Sequence, residues 1–331
     1  MNLVKQTAAA ILVASAFAIP TSAMAEVAEV SVAMQHGLSY LPLMVMERDK
    51  LFEKASKAAG ADATAKFMRM GGPGPITDAL LSGNVQFGAV GVPSLVNLWD
   101  KTKNGLGYKA VGALNSLPMY LNTTNPAVRT VCDLKDGDKV ALPTVKVSVQ
   151  AVTLQMAAKK YCGDATKFDR HTVSMSHPDG LLALANNNVT AHFTSPPFMY
   201  QELDDKRVRT VLKSYDVLGG KTTFTLVVAS TRFLNENPKA YAAFAKGFEQ
   251  ATAWINANRS DAAKFYVEAS KTKESVKEVL DQLSNPDIEM TLVPNGIGKY
   301  ADFMHEIGTI KNKPASWKDM VHPNLHDKKG S

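Results

Sequence analysis

The chain has 331 residues, 45% of them apolar and 21% charged, enough to fill two folded domains with a sizeable core. Its formal charge of +6 is scattered along the sequence and not gathered into one aromatic-laced stripe, which argues against nucleic-acid binding. Beyond the N-terminal run, no segment approaches the roughly eighteen uninterrupted apolar residues that a membrane-spanning helix needs.

Residues 1–25 read as a secretory leader. Lys5 supplies the positive start, Ala8 to Ile19 the aliphatic run, and Ala23-Met24-Ala25 the small-x-small pattern for cleavage after Ala25. No cysteine lies near that point to accept a lipid, so the mature protein is expected free in the periplasm.

From Glu26 the residues Val27, Val30, Val32 and Met34 form a strand that bends through Gln35-His36-Gly37-Leu38-Ser39-Tyr40, and Pro42 restarts the chain as a helix to about Lys54. The design repeats twice between Phe67 and Leu98. An apolar strand reaches Gly71-Gly72-Pro73 and a short helix; a second strand ends at Gly91-Val92-Pro93-Ser94, where another helix opens. No Lys-Ser or Lys-Thr follows these glycines, so neither turn is a phosphate loop of the nucleotide-hydrolase type. Strands and helices alternating at this spacing imply mostly parallel sheets with right-handed crossovers.

Lys109 to Leu114 is a further strand, and Asn115-Ser116-Leu117-Pro118 leads to a point where the pattern restarts as if in a second lobe. There Lys139 to Leu142 runs into Pro143-Thr144-Val145-Lys146-Val147-Ser148, ahead of a helix with Val149, Val152 and Met156 on one face. Phe168 to Val173 reads as a strand, Ser176-x-x-Asp179 as a capping box, and Val189 to Phe193 as a strand ending at Thr194-Ser195-Pro196-Pro197-Phe198. His177 is assigned to that capping region. The basic cluster Lys206, Arg207, Arg209 and Lys213 alternates with Val208, Val211 and Leu212, as at the solvated edge of a strand. Thr222 to Ala229 is the expected return crossing. Tyr241, Phe244, Phe248, Ala251 and Ile255 then stripe one side of a long helix, shorter helices follow, and the polar tail from Pro314 is expected to wrap or fray.

Cys132 and Cys162 are the two cysteines, in a compartment that permits disulfides; they are expected to pair, two free buried thiols being the alternative. There is no Gly-x-Ser-x-Gly elbow and no His-Glu-x-x-His helix. The seven histidines approach metal-ligand spacing at His322 and His326 alone, in a tail broken by Pro323. No catalytic residue, metal site or cofactor is therefore assigned. The turns at strand carboxyl ends, in contrast, would converge helix N-termini and the hydroxyls of Ser94, Thr144, Ser148 and Ser195, with a charge from Lys146. Such a site suits a carboxylate, sulfonate or similar small organic anion.

Gln35-His36-Gly-Leu-Ser-Tyr40-Leu-Pro42, Leu51-Phe52-Glu53, Gly71-Gly72-Pro73, Asp78-Ala-Leu-Leu-Ser-Gly83-Asn, Phe87-Gly88-Ala-Val-Gly91-Val-Pro93 and Asp133-Leu-Lys-Asp-Gly resemble, in order and spacing, the substrate-binding proteins of nitrate, sulfonate and taurine ATP-driven (ABC) importers. The resemblance implies an α/β type II periplasmic binding protein, two lobes joined by two crossing strands, with lobe I in 26–116 and 222–331 and lobe II in 117–221. It implies a monomer without catalysis that closes on one small-molecule ligand and docks on an ABC transporter permease in the inner membrane. Carried over one by one, Gln35, His36, Tyr40, Gly72, Pro73, Pro93 and Ser94 would line one lobe, Thr144, Lys146, Ser148 and Ser195 the other, with Asn115 at the first crossing. Val145 to Val147 stand where the family often has a glycine and small hydroxyl residues. A binding protein serving a sensor or receptor is the alternative. The thiamin-pyrimidine synthases share the fold, but their cysteine-rich motif is missing here.

Overall fold

A computed structural model describes residues 26–331; the proposed leader lies outside the described residues. Among the described residues, ten strands make two five-stranded sheets. The first contains β1 (Glu29–Met34), β2 (Thr64–Arg69), β3 (Phe87–Gly91), β4 (Tyr108–Ser116) and β10 (Thr223–Ser230), in the order β2-β1-β3-β10-β4. The second contains β5 (Tyr120–Thr123), β6 (Val140–Leu142), β7 (Thr172–Ser174), β8 (Ala191–Thr194) and β9 (Arg209–Lys213), in the order β7-β6-β8-β5-β9.

The two orders follow one rule. In the first sheet β1 is parallel to β2 and β3, while β10 is antiparallel to both its neighbours. In the second, β6 is parallel to β7 and β8, while β5 is antiparallel to both of its own. Strands whose carboxyl ends face the space between the sheets send the chain across it, and a strand entering from that space must run the other way. β4 crosses through Leu117–Met119 into β5; β9 crosses back through 214–222 into β10. Each sheet is thus mostly parallel with one reversed strand.

The larger core lies on the first sheet. Phe87 on β3 stacks on Phe244 at 3.8 Å and meets Phe233 edge-on at 5.4 Å. The helix Pro238–Ala257 buries Tyr241, Phe244, Phe248, Ala251 and Ile255, as the stripe predicts. Each such aromatic stabilises the fold by about 2–3 kcal/mol of burial. The helix expected from Pro42 to Lys54 is instead two helices, Leu41–Arg48 and Leu51–Ala58. Lys50 adopts the left-handed conformation (φ 52°), ending the first helix and turning Phe52 into the core. The stretch Phe168 to Val173 is a strand only at its end: Asp169–His171 form a 3-10 turn and the pairing starts at Thr172.

Cys132 and Cys162 are disulfide-bonded, tying the loop before β6 to the end of the helix Val149–Cys162. Of the basic cluster, Arg209 and Lys213 lie on β9, an edge strand, and Lys206 and Arg207 in the turn ahead of it. The tail wraps: Val321 bridges Ala110, and buried His322 donates from Nε2 to the Ala229 carbonyl at 3.0 Å.

Candidate functional site

The strand-to-helix turns of the two sheets face each other across the crossing segments and touch. From the first lobe, the Leu38 N–H donates to the Pro196 carbonyl at 3.2 Å. The Gly74 N–H reaches Thr144 Oγ1 at 3.4 Å, and Ser94 Oγ donates to the Val147 carbonyl at 3.3 Å. Gly72 lies so close to the opposite turn that a Cβ there would sit 2.7 Å from the Pro143 carbonyl oxygen and 2.9 Å from Thr144 Oγ1. A Cβ on Gly91 would stand 3.0 Å from the Val149 side chain, and one on Gly71 would be 4.0 Å from Ser176. The lobes are closed on one another.

Four helices open at this seam: Pro73–Leu81 and Val92–Thr102 from the first lobe, Val149–Cys162 and His177–Ala185 from the second. In the first two, proline at the first turn removes an N–H that no intrahelical bond would use. Ser148 caps the third by accepting from the Ala151 N–H at 3.2 Å, and Ser176 caps the fourth. Their positive ends are thereby gathered into one region.

The expected lining residues fall into three groups. Gly72, Ser94 and Thr144 meet at the seam, Pro73, Pro93 and Ser148 open the helices beside them, and Ser195 is buried beside the Pro196 contact. Gln35 and Tyr40 are buried at the end of β1 and in the turn after it; burial pushes the Tyr40 phenol above its usual range. Lys146 and His36 are exposed, and Lys146 takes the left-handed backbone conformation (φ 60°). This is where a glycine would carry no strain. Asn115 stands apart: its amide donates to both the Ser39 carbonyl and Ser39 Oγ at 2.8 Å, and Ser39 Oγ meets Thr225 Oγ1 at 2.5 Å. That buried trio joins the first turn to both crossing strands.

Sequence reasoning passed over a second polar cluster. His177, assigned to a capping region, is buried in the seam, bonded through Nδ1 to Thr194 Oγ1 at 2.8 Å and through Nε2 to the Gln150 amide at 3.3 Å. Its ring lies flat on Phe198, centroids 5.5 Å apart. Burial, then His192 and His36, lowers its pKa well below the ordinary value, so the ring is neutral at pH 7. His36, exposed at its edge but partly covered by the turns around it, is lowered by that desolvation and by Arg69, against Asp179, which raises it. Arg69 ends β2 and brings a guanidinium to a rim whose turns contain none. Behind these, His192 Nδ1 pairs with Glu202 at 2.5 Å, and Asn122 donates to the other Glu202 oxygen at 2.9 Å. The signal for His177 and Gln150 was their place in the first turns of the two second-lobe helices. Among the described residues no group of His, Cys, Asp and Glu is placed to hold a metal ion, and no helix is long and apolar enough to cross a membrane.

Solved structures with this arrangement are known. The alkanesulfonate-binding protein SsuA of Xanthomonas axonopodis pv. citri, bound to MOPS, aligns over 89% of this chain and 98% of its own with a TM-score of 0.71 at 17% identity. The periplasmic aliphatic sulphonate-binding protein SsuA of Escherichia coli aligns over 90% and 92%, TM-score 0.64, 18% identity. The periplasmic nitrate-binding protein NrtA of Synechocystis PCC 6803 aligns over 89% and 84%, TM-score 0.68, 12% identity. The chain has the periplasmic binding protein fold. No protein-family model matches the sequence, and a search of curated proteins finds no match. The seam is the closed cleft between the two sheets, and the Ser39, Asn115 and Thr225 trio lies where the crossing strands β4 and β10 meet the first turn.

Proposed function

We propose that this protein is an extracytoplasmic solute-binding protein that captures a small organic anion, sulfonate- or carboxylate-like, between its lobes and delivers it to an ABC importer. One observation carries the reading: four helix N-termini converge on a cleft where donors of one lobe are met by neutral acceptors of the other. An anion entering on opening replaces the Thr144 hydroxyl, the Val147 carbonyl and the Pro196 carbonyl as the acceptor for those donors. Charge-assisted hydrogen bonds are about twice as strong as neutral ones, so the exchange favours the bound form. Neutral His177 holds the Gln150 amide in place beside the cleft, and Arg69, 3.5 Å from Glu47, brings a guanidinium to the rim. The sulfonate- and nitrate-binding neighbours support the ligand class, and their fold supports a periplasmic location and a permease partner.

A thermal-shift screen of the mature protein against alkanesulfonates, carboxylates and nitrogen heterocycles tests it. A ligand at 100 times its Kd stabilises the folded state by about 2.7 kcal/mol, so one anion in the panel raises the melting temperature while its uncharged analogue does not. A panel that moves nothing, or a neutral heterocycle that moves it as far, removes the anion reading.

A further inference from the structure

The helix Val149–Cys162 of the second lobe is buried without a break from Val149 to Gln155. Such a run spans about two turns and so every face of the helix, whereas Val149, Val152 and Met156 alone would cover one. Part of the cover comes from its neighbours Val131–Asp133 and Ser214–Leu218; the rest comes from the first lobe, from the helices Val92–Thr102 and Ile297–Glu306, which pack on each other as well. At the centre of that contact Thr153 Oγ1 and the Tyr300 hydroxyl share a hydrogen bond at 2.8 Å, both residues fully buried. Six residues farther along each helix Lys159 pairs with Glu306, so the two helices lie side by side and run the same way.

Tyr300 also stands next to the return crossing. The adjoining Lys299 donates from Nζ to the Leu218 carbonyl at 2.6 Å, and a Cβ on Gly296 would lie 2.7 Å from the Thr222 methyl. Within the same crossing Gly219 and Gly220 take φ of 73° and 123°, where a glycine bends without side-chain strain. The seam is built differently: Leu38 to Pro196, Gly74 to Thr144 and Ser94 to Val147 are single hydrogen bonds to backbone or hydroxyl groups, which water replaces at little net cost. Parting the helix pair would instead bare packed apolar surface along with two buried hydroxyls.

We propose that these two helices stay packed when the lobes separate and serve as the pivot, so that the second lobe turns about the Thr153–Tyr300 contact and the solute enters over the glycine rim at Gly71 and Gly72. The pivot rests on the reading of the seam as a solute cleft, and adds to it which interlobe contact persists and which gives way.

Thiol labelling of the full mature protein with iodoacetamide, in the absence of any solute, tests the pivot; with Cys132 and Cys162 bonded, a single added cysteine is the one free thiol. Ser94→Cys puts that thiol in the seam and Thr153→Cys puts it at the pivot, both at buried positions. Ser94→Cys is expected to react at a rate that low urea leaves unchanged, and Thr153→Cys about a hundredfold more slowly, with the urea dependence of global unfolding. Tyr300→Phe removes the hydrogen bond and keeps the ring. Because that bond is made in both the open and the closed form, the variant should lower the melting temperature yet keep the Ser94→Cys labelling rate within about twofold. Equal labelling of the two thiols overturns the pivot, as does Ser94→Cys reacting on global unfolding alone, or Tyr300→Phe speeding the Ser94→Cys reaction by more than about twofold. None of these rates involves the solute, so a failure of the pivot and a failure of the anion screen are separate results.

Discussion

At the residue scale, the buried imidazoles set a pH dependence whose sign is fixed. His322 is fully buried under the tail, its Nε2–H given to the Ala229 carbonyl, and burial first, then Lys109 and His326, lowers its pKa to about 4 against 6.5 when exposed. A group whose pKa is depressed by folding takes up its proton more readily in the unfolded chain. Its contribution is whole above pH 6.5 and is lost as the pH falls toward 4. At about 1.36 kcal/mol per pH unit the loss is roughly 3 kcal/mol, a shift of several degrees in melting temperature for a chain of this size. His177 acts in the same direction. Melting curves between pH 4 and 7 should therefore fall steeply below 6.5, and His322→Gln, which keeps a donor for Ala229 but cannot titrate, should flatten part of that slope. An unchanged slope would show that the tail carries no linked proton.

At the element scale, the disulfide fastens the loop before β6 to the far end of the helix whose N-terminus faces the cleft, with Cα atoms 5.7 Å apart. Closing a loop of sequence separation 30 removes unfolded-state entropy worth roughly 3.5 kcal/mol. The unreduced protein should titrate no free thiol, and the double variant Cys132→Ser, Cys162→Ser should lose about that much stability in urea while keeping its cleft. Two free thiols in unreduced protein would dismiss the bridge. The repeated strand, turn and helix units were legible in the sequence because each carries its own punctuation: an alternating or continuous apolar run, then glycine, proline or a hydroxyl residue at the turn. The break at Lys50 was not legible, since nothing local marks a lysine for the left-handed conformation; the need to bury Phe52 decides it. The turns of the candidate site were readable for the same reason as the strands. His177 and Gln150 were not, because their partners, each other, Thr194 and Phe198, come from separate helices and a strand that only the folded second lobe brings together. Asn115 was read as lining; its hydrogen bonds to Ser39 in the first turn and to Thr225 on β10 depend on which elements pack against β4, which a single strand does not disclose.

At the scale of the whole molecule, closure depends on backbones approaching where a side chain would intervene. Gly72 has an extended conformation (φ −175°) that any residue adopts, so an alanine there strains neither lobe internally. Its Cβ would nevertheless lie 2.7 Å from the Pro143 carbonyl oxygen, a backbone atom that cannot rotate aside. The lobes must part to admit it, and the hydrogen bonds from Gly74 to Thr144 and from Ser94 to Val147 lengthen together. In the ligand-free protein those two neutral bonds, at about 1 kcal/mol each, account for some thirtyfold in the balance of closed over open forms; with ligand, which takes over their donors, the added Cβ still opposes closure against the Pro143 carbonyl, and affinity falls with the closed population. Gly72→Ala should accordingly keep the wild-type circular dichroism, show a larger radius by small-angle scattering both without and with ligand, and bind the anion from the screen at least tenfold more weakly. Gly298→Ala, in the helix Ile297–Glu306 with nothing within 4 Å of the added carbon, is the matched control and should change neither radius nor affinity. If Gly72→Ala closes and binds as the wild type does, the direct contact of the two turns is not what governs access to the cleft.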